Sequence, residues 1–411
     1  MIFFYVLKDT QVYPRSSGQA IRFKAPRSSS GASQRIPAEN IYFTTQAQFV
    51  RMARSIADVE SVVRVLDDQA AEVILGSGNF PKEITFFREG DVADIFTAHG
   101  DSIAVAMING MGNGIGDSIV GLRALEIFYK RIQENYSRVA ITVLRRINPQ
   151  LDHFYRHSKA VHQALDMPRT LDMLLACDYF MSLEAFALSR EFNSMPMIDY
   201  FLSKLGMDPS SVAAGEKHGA SAMLGNCIKN PDKSLHNILR QHKEKGCKLL
   251  LVHPVASDAI RSMPPEFISQ LVDYLLVNTD YIVTSAVGLG CLHERYLDVS
   301  RYSQNIDDFV YIVANMDAVI SVDTSTYHIA DTFDVPAVVL FNTIDPQYRI
   351  SYYPCTRGIW LGEGQDTLVM RHTGFTQQDK TILDTIYRNF DYEKLLFELD
   401  RAVSSARSIR R

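Results

Sequence analysis

Short hydrophobic runs alternate with stretches of helical periodicity from about residue 101 to the end of the chain. The runs, each typical of a buried strand, cover residues 102–108, 138–144, 177–183, 248–254, 281–285, 317–322 and 335–341. Apolar residues at helical spacing cover residues 117–134, 196–202, 264–277, 306–316 and 379–400. Because strand and helix in alternation build parallel sheets, we expect an α/β fold with doubly wound halves.

The first hundred residues follow a different pattern. Short β-like runs at 2–7, 20–24 and 41–44 flank a Ser-rich polar loop at 27–33, and the apolar spacing turns helical over 49–65. We interpret this part as a small α+β module. Residues 207–246 are richer in Gly, Ser, Lys and Asn, and they are predicted to be a linker. The predicted domains are an accessory module at 1–100, two α/β halves at 101–225 and 246–375, and a helical tail at 376–411.

Composition narrows the class of protein. The hydrophobic content of 46% and charged content of 22% are typical of a globular protein, and the net charge of −5 disfavours a general nucleic-acid binder. The five scattered cysteines lack C-x-x-C spacing, which disfavours a disulfide framework and a structural zinc site. No apolar run is long enough to span a membrane and the first residues lack a basic signal-peptide start, so we expect a cytoplasmic protein.

The most informative polar segment follows the run at 317–322. A strand, a polar helix start and a second strand form half of a doubly wound unit, and such sheets bind ligands at the carboxyl ends of their strands. The free N–H groups of a helix start suit a phosphate, although Asp323 or Thr324 could simply cap the helix. The segment reads Asp323-Thr324-Ser325-Thr326-Tyr327-His328-Ile329-Ala330.

A glycine-rich turn follows the run at 102–108. Its glycines, among them Gly112, Gly114 and Gly116, permit close approach of a ligand to the backbone. Their spacing is not that of the dinucleotide fingerprint G-x-G-x-x-G. Asp117 comes next, at a predicted helix start, where a carboxylate could act as a general base or merely cap the helix.

Two further polar loops follow strands of the second half. Ser257 and Arg261 lie after the run at 248–254, where a cation could neutralise a diphosphate leaving group or be an ordinary surface charge. Glu294 lies after the run at 281–285 and could bind sugar or ribose hydroxyls, or be a solvated helix-start residue. His328 could contact a phosphate or sugar oxygen, or pack as a plain core side chain.

Taken together, these motifs resemble glycosyltransferase family 9, the heptosyltransferase-like group with the GT-B fold. The resemblance covers about residues 103–360. Its elements are a Gly-Asp after the first strand, a Pro-x-Ala-Ser loop with a following basic residue, a loose Gly-x-x-x-x-Glu match, and the signature Asp-Thr-Gly-x-x-His-Leu-Ala with a later Asp-Pro. Here these are Gly116-Asp117, Pro254 to Ser257 with Arg261, Gly288 to Glu294, Asp323 to Ala330, and Asp345-Pro346.

The resemblance implies two Rossmann-like domains facing a cleft, with the acceptor bound by residues 101–225 and a nucleotide-diphosphate sugar, preferably an ADP-sugar, by residues 246–375. It implies inversion without a required metal or cofactor, with Asp117 as base, Arg261 at the diphosphate, and Glu294 at the nucleotide or sugar. Ser257, Asp323, Thr324, Ser325 and His328 would line the donor site. The acceptor would be a glycan, a lipid-linked molecule, as in lipopolysaccharide biosynthesis, or a protein, with peripheral membrane association left open.

Several positions depart from the family pattern. Ser325 replaces the signature glycine, Met263 a tryptophan, Asn342-Thr343 a Gly-Pro pair, and Gly121-Leu122 a Thr-Pro pair. Related protein heptosyltransferases with an extra N-terminal module hold a cysteine-ligated iron site, and this sequence lacks that cysteine cluster.

Two alternatives stay open at the level of sequence. The first is an NADP-dependent oxidoreductase or a sugar-nucleotide epimerase, in which Arg145 and Arg146 would meet a 2′-phosphate. The second is a catalytically silent GT-B scaffold that binds a partner through residues 1–100.

Overall fold

A six-stranded parallel sheet organises the C-terminal part of the chain in the computed structural model. Counted along the chain within this series, its strands lie in the order 3-2-1-4-5-6, which is the Rossmann order. The strands, listed across the sheet, are Tyr296–Asp298, Ile282–Ser285, Leu249–His253, Ala318–Val322, Ala337–Phe341 and Thr356–Trp360. The order reverses between Leu249–His253 and Ala318–Val322, so this sheet has its switch point there.

The structure describes residues 2–12, 21–25, 38–53, 63–66, 85–86, 93–112, 114–146, 148–183, 189–219, 222–362 and 376–409. Contacts divide the chain into two compact units. One comprises residues 1–113, 125–186 and 204–207, and the other comprises residues 114–124, 187–203 and 208–411. The domain boundaries expected from the sequence stay predictions.

The first unit contains a second parallel sheet and an antiparallel one. The parallel sheet consists, in spatial order, of Thr85–Phe86, Tyr179–Ser182, Gly100–Ile108, Tyr136–Arg145 and Gln163–Asp166. The antiparallel sheet consists of Arg169–Thr170, Tyr42–Thr44, Ile2–Val6 and Val63–Leu66, and Thr10–Val12 pairs separately with Ile21–Phe23. Two parallel sheets and an N-terminal antiparallel sheet confirm the α/β class with an α+β module.

Burial explains why the strands form where the hydrophobic runs predicted them. Leu250, Leu251 and Val252 are fully buried, as are Val319 and Ile320 in the neighbouring strand. A strand that is covered on both faces needs apolar side chains at every position, not at alternate ones. The continuous runs were therefore reliable signals for the central strands.

Several helices begin at residues suited to capping. Asn305, Asp232 and Thr376 each accept a backbone N–H at a helix start, and Thr376 forms a capping box with Asp379. The α-helices of the described residues are Gln46–Ala53, Ala93–Thr97, Ile115–Ile132, Pro149–His157, Leu171–Leu175, Met197–Lys204, Ala222–Cys227, Lys233–Glu244, Pro265–Asn278, Ile306–Ala314, Ser325–Thr332, Gln347–Ile350, Gln377–Arg388 and Tyr392–Ile409.

Three predictions about individual segments need correction or lie outside the described residues. The linker predicted at 207–246 is wrong, because helices Ala222–Cys227 and Lys233–Glu244 occupy it and bury Leu235 and Leu239. The lysines on the exposed face of helix Lys233–Glu244 gave the segment a linker-like composition, although Leu235 and Leu239 form an apolar stripe on its other face. The helix predicted over 49–65 is confirmed up to Ala53 and is wrong at its end, where Val63–Leu66 forms a strand. The Ser-rich loop 27–33 lies outside the described residues.

Candidate active site at the switch point of the C-terminal sheet

The carboxyl ends of the two strands at the switch point bring His253 and Asp323 into one region. His253 ends the first strand and Asp323 follows the second. The hydroxyl of Thr326 and Nδ1 of His253 share a hydrogen bond of 2.8 Å. Burial lowers the pKa of His253 to about 4, so its imidazole is neutral near pH 7.

Arg261 is bound to the Asp323 segment. One of its terminal nitrogens, Nη1, donates to the backbone carbonyl of Asp323 at 2.9 Å and to the carboxylate oxygen Oδ2 at 3.2 Å. Nη2 donates to the hydroxyl of Ser257 at 2.8 Å. The loop from Ser257 to Arg261 therefore holds a guanidinium beside the helix that starts after Asp323, and the role of Arg261 at a diphosphate stays a prediction.

The helix Ser325–Thr332 begins without a side-chain cap. Thr324 occupies the N-cap position with extended φ of −150° and ψ of 179°, yet its hydroxyl accepts no helix N–H. The carboxylate of Asp323 is engaged by Arg261 and by the Tyr327 hydroxyl, which donates to Oδ1 at 3.0 Å. The plainer interpretation, that Thr324 is only a cap, is therefore not what the geometry shows. N–H groups at a helix start without such a cap are suited to an anion.

His328 lies one turn into this helix and is held from two sides. Its Nδ1 shares a 2.6 Å hydrogen bond with the Tyr353 hydroxyl, and its ring stands 4.0 Å from the ring of Tyr327, centroid to centroid. Burial lowers the pKa of His328 to about 3, so the ring is neutral at physiological pH. A neutral imidazole whose Nδ1 is engaged offers Nε2 as its remaining polar atom.

Gly116 lies directly against that ring. A Cβ atom placed on Gly116 would stand 2.9 Å from Cδ2 and 3.2 Å from Nε2 of His328. Gly114 lies close to Asp117, three residues later in the chain. A Cβ atom on Gly114 would stand 2.5 Å from Oδ2 of Asp117. A side chain at position 116 would press on a ring that is held from two sides, whereas one at position 114 would meet the Asp117 side chain first. Close approach therefore favours glycine most strongly at position 116.

Asp117 lies in the first turn of helix Ile115–Ile132 and shares the electrostatic environment of Asp323. Burial raises the pKa of Asp117 to about 6, with Arg349 and Arg261 opposing the rise and Asp323 adding to it. Burial also disfavours the charged form of Asp323, but Arg261 and Arg349 outweigh it and lower the pKa of that carboxyl. Two carboxyls with pKa values shifted in opposite directions are a pattern found in acid–base sites.

The predicted site residues are brought together only in part. One network of contacts and charges contains most of them: Ser257, Arg261, Asp323, Thr324, Ser325, His328, Gly114, Gly116 and Asp117. Glu294 is exposed, and among the described residues no polar contact joins it to the others. Gly112 belongs to the first unit, in the turn after strand Gly100–Ile108, with φ of +84°.

The structure also bears on the NADP alternative. Arg145 is 1% exposed, donates to the carboxylate of Asp152 at 2.7 Å and lies over the ring of Tyr155 at 4.6 Å. A guanidinium committed in this way is not available to a 2′-phosphate. The NADP alternative therefore loses Arg145, one of the two arginines on which it was based.

Three site residues were not predicted from the sequence. Tyr353 and Arg349 come from the segment after strand Ala337–Phe341. Tyr327 belongs to the segment Asp323 to Ala330, but the sequence indicated no function for it. One signal was available for Arg349, because an arginine following Asp345-Pro346 lies after the carboxyl end of a central strand.

Comparison with known proteins finds a family model that matches the part of the chain around Asp323. Residues 303–373, which include the Asp323 to Ala330 segment and Arg349, match the model of glycosyltransferase family 9 (heptosyltransferase). The match confirms the resemblance and supports the enzyme class, a glycosyltransferase. No curated protein matches the chain.

Solved structures give distant similarities. ADP-heptose LPS heptosyltransferase II of E. coli has a TM-score of 0.48 at 11% identity, over 73% of this chain and 98% of that one. The dodecameric iron-containing heptosyltransferase TibC, in complex with ADP-D-beta-D-heptose, has a TM-score of 0.47 at 12% identity, over 75% and 79%. UDP-GlcNAc 2-epimerase of Methanocaldococcus jannaschii has a TM-score of 0.39 at 8% identity, over 70% and 100%.

Two further observations concern disulfides and membrane-spanning helices. None of the five cysteines, all of which lie in the described residues, forms a disulfide. Among the described residues, none of the helices has the length and apolar character needed to cross a bilayer.

Proposed function

We propose that the protein is an inverting glycosyltransferase that moves a sugar from a nucleotide-diphosphate donor to an acceptor hydroxyl, with Asp117 as the general base. One observation carries the proposal. The carboxyl of Asp117, with a pKa near 6, stands in the same charged cluster as Arg261 and the helix start at Thr324. A base and an anion-binding group close together are what direct displacement of a diphosphate requires.

The donor side of the site would work by charge. The N–H groups at the start of helix Ser325–Thr332 and the guanidinium of Arg261 would meet the diphosphate and stabilise the negative charge that builds on it as the sugar bond breaks. The neutral ring of His328 would offer Nε2 to a phosphate or sugar oxygen. Ser257 would keep Arg261 in place through its 2.8 Å hydrogen bond.

The acceptor side would work by proton transfer. Above about pH 6 the Asp117 carboxyl is ionised and can take the proton of the attacking hydroxyl as the new bond forms. A pKa raised toward neutrality makes it a stronger base than an ordinary aspartate while leaving it ionised at pH 7. Gly114 leaves room for that carboxylate, since any larger residue would collide with Oδ2.

The similarity to heptosyltransferases supports a proposal for the donor class. An ADP-sugar, with heptose as the first sugar to test, is the donor we propose, and a lipid-linked glycan or a protein would carry the acceptor hydroxyl. We also propose that the reaction needs no metal, because Arg261 and the helix start supply the positive charge. A chelator should then leave turnover unchanged, whereas loss of turnover that Mg²⁺ restores would contradict this part of the proposal.

The first test is a panel of nucleoside diphosphates and nucleotide sugars measured by thermal shift. A ligand that binds only the folded state raises the melting temperature by mass action. We expect one nucleoside diphosphate and its sugar to stabilise the protein, and Arg261→Met to abolish that effect. Stabilisation by NADP alone would favour the oxidoreductase instead.

The second test addresses the base. Asp117→Asn should bind the same nucleoside diphosphate as the unmodified protein and lose turnover by roughly a hundredfold or more. Asp400→Asn, an exposed aspartate on helix Tyr392–Ile409, is the matched control and should keep full turnover. Full turnover of Asp117→Asn would exclude Asp117 as the base.

A further inference from the structure

Arg349 is a buried guanidinium held entirely by neutral groups. It lies in helix Gln347–Ile350 and is 7% exposed. Its Nη1 donates to the backbone carbonyls of Phe192 at 3.3 Å and Tyr348 at 3.2 Å, and its Nη2 donates to Oδ1 of Asn193 at 3.3 Å. The guanidinium also lies over the ring of Phe192 at 4.9 Å. These contacts fix the position of the cation without neutralising it.

Among the described residues, no ion pair joins Arg349 to a carboxylate. Arg261 differs, since its guanidinium is 3.2 Å from Oδ2 of Asp323. A buried charge without a direct partner is costly, so opposite charges nearby must balance it. Its helix lies at the site, because the Tyr353 N–H donates to the carbonyl of Ile350 at 2.9 Å and the Tyr353 hydroxyl bonds His328, whose ring lies against Gly116, the neighbour of Asp117. From that place the charge of Arg349 lowers the pKa of both Asp117 and Asp323.

The balance of charge around Asp117 shows why a second cation is needed. Two carboxylates in one buried site repel each other, and one of them would normally take up a proton. Arg261 is committed to Asp323 by direct contact. The other side chains of the cluster, His328 and Tyr327, are neutral at physiological pH. Arg349 is therefore the cation left to offset the second negative charge, and it acts on Asp117 more strongly than Arg261 does.

We infer that Arg349 is a positioning residue: from its fixed place on Phe192 and Asn193, its charge keeps Asp117 and Asp323 ionised together in one buried site. The inference rests on the proposed function for its catalytic meaning, because an ionised Asp117 matters only if it accepts a proton. The electrostatic part stands by itself and can be measured without turnover.

The test compares Arg349→Met, Arg349→Lys and the unmodified protein. Loss of the charge should move the acid limb of the kcat/KM profile to higher pH by about one unit, a tenfold loss of rate on that limb. Arg349→Lys keeps the charge and loses the forked hydrogen bonds, so its acid limb should stay near that of the unmodified protein. Arg357→Met is the matched control, because Arg357 also donates only to neutral oxygens, those of Pro354, Thr356 and Ser405.

A second readout separates this inference from the proposed function. Infrared difference spectra follow protonation of the Asp117 carboxyl directly, with Asp117→Asn identifying its band. A titration midpoint that rises in Arg349→Met but not in Arg357→Met supports the inference even if no transferase activity is found. An unchanged midpoint in Arg349→Met overturns it, and so does a midpoint in Arg349→Lys that rises as far as in Arg349→Met. If Arg349→Met does not fold, Arg349→Gln takes its place, because it also removes the charge but keeps a donor for Asn193. A raised midpoint in Arg349→Gln supports the inference, and an unchanged one overturns it.

Discussion

Replacement of Gly116 by alanine tests its close contact with the His328 ring. The new Cβ would stand 2.9 Å from Cδ2 and 3.2 Å from Nε2 of His328, and 3.7 Å from Cα of Ser325. The His328 ring cannot easily move away, because Nδ1 is hydrogen-bonded to Tyr353 at 2.6 Å and the other face packs on Tyr327. The backbone of the first helical turn would therefore have to shift, and Asp117 would shift with it.

The expected magnitude is a balance of two opposing effects. Alanine is favoured over glycine inside a helix by at most about 1 kcal/mol, and less in the first turn. Overpacking a buried contact costs about 1–3 kcal/mol. Gly116→Ala should thus lie between neutral and about 2 kcal/mol less stable. Displacement of Asp117, the base that we propose, should lower kcat about ten- to a hundredfold.

A matched glycine isolates the clash. Gly225 lies in helix Ala222–Cys227, and a Cβ there would meet nothing within 4 Å. Gly225→Ala should therefore be neutral or more stable, by up to about 1 kcal/mol, with unchanged kcat. Urea unfolding of both variants should show a gap of about 1–3 kcal/mol between them. If Gly116→Ala is as stable and as active as Gly225→Ala, the reasoning about this contact is wrong.

Three further predictions follow from the same cluster. In Gly114→Ala the new Cβ would stand 2.5 Å from Oδ2 at the end of the Asp117 side chain and would displace that carboxylate. Turnover should therefore fall at least tenfold, with little change in the urea midpoint. A loss of stability without loss of turnover would contradict this prediction. Because the pKa of Asp117 is raised from 3.8 to about 6, the ionised carboxyl costs stability as pH rises through 6. Asp117→Asn should therefore be more stable than the unmodified protein at pH 8, on the order of 2–3 kcal/mol, and no more stable at pH 4, as measured by chemical unfolding at both values. Because the pKa of His328 is lowered from 6.5 to about 3, the unfolded chain binds a proton that the folded one does not, and stability should fall as pH drops through that window, by at most about 1.4 kcal/mol per unit. His328→Gln should flatten that slope, and an unchanged slope would mean that His328 is not buried as described.

The outcome for the segment at 207–246 shows a limit of composition as evidence. Its Lys, Gly and Asn content suggested a linker, yet Lys233–Glu244 is a capped amphipathic helix. Leu235, Ile238 and Leu239 carried the helical signal, and Leu235 and Leu239 are buried. A stripe of three residues is weak evidence until the surface that covers it is known.

The sequence by itself determined the parts of this protein that depend on neighbours in the chain. Continuous apolar runs specify strands covered on both faces, so the central strands of both parallel sheets were predicted close to their observed bounds. The polar segment after Val322 and the glycines before Asp117 marked the site for the same reason, because a strand end and a helix start are local features.

Tertiary structure alone decided which of those polar groups meet. Tyr353 reaches His328 across 25 positions, and the guanidinium of Arg349 lies 157 positions from the Phe192 carbonyl that fixes it. No periodicity encodes such pairings, since they depend on the order of strands in the sheet and on loops of unrelated sequence. The protonation states of the site residues also depend on tertiary structure. The pKa values of Asp117 and His328 are set by burial and by cations from other elements, so they became visible only when the chain was folded.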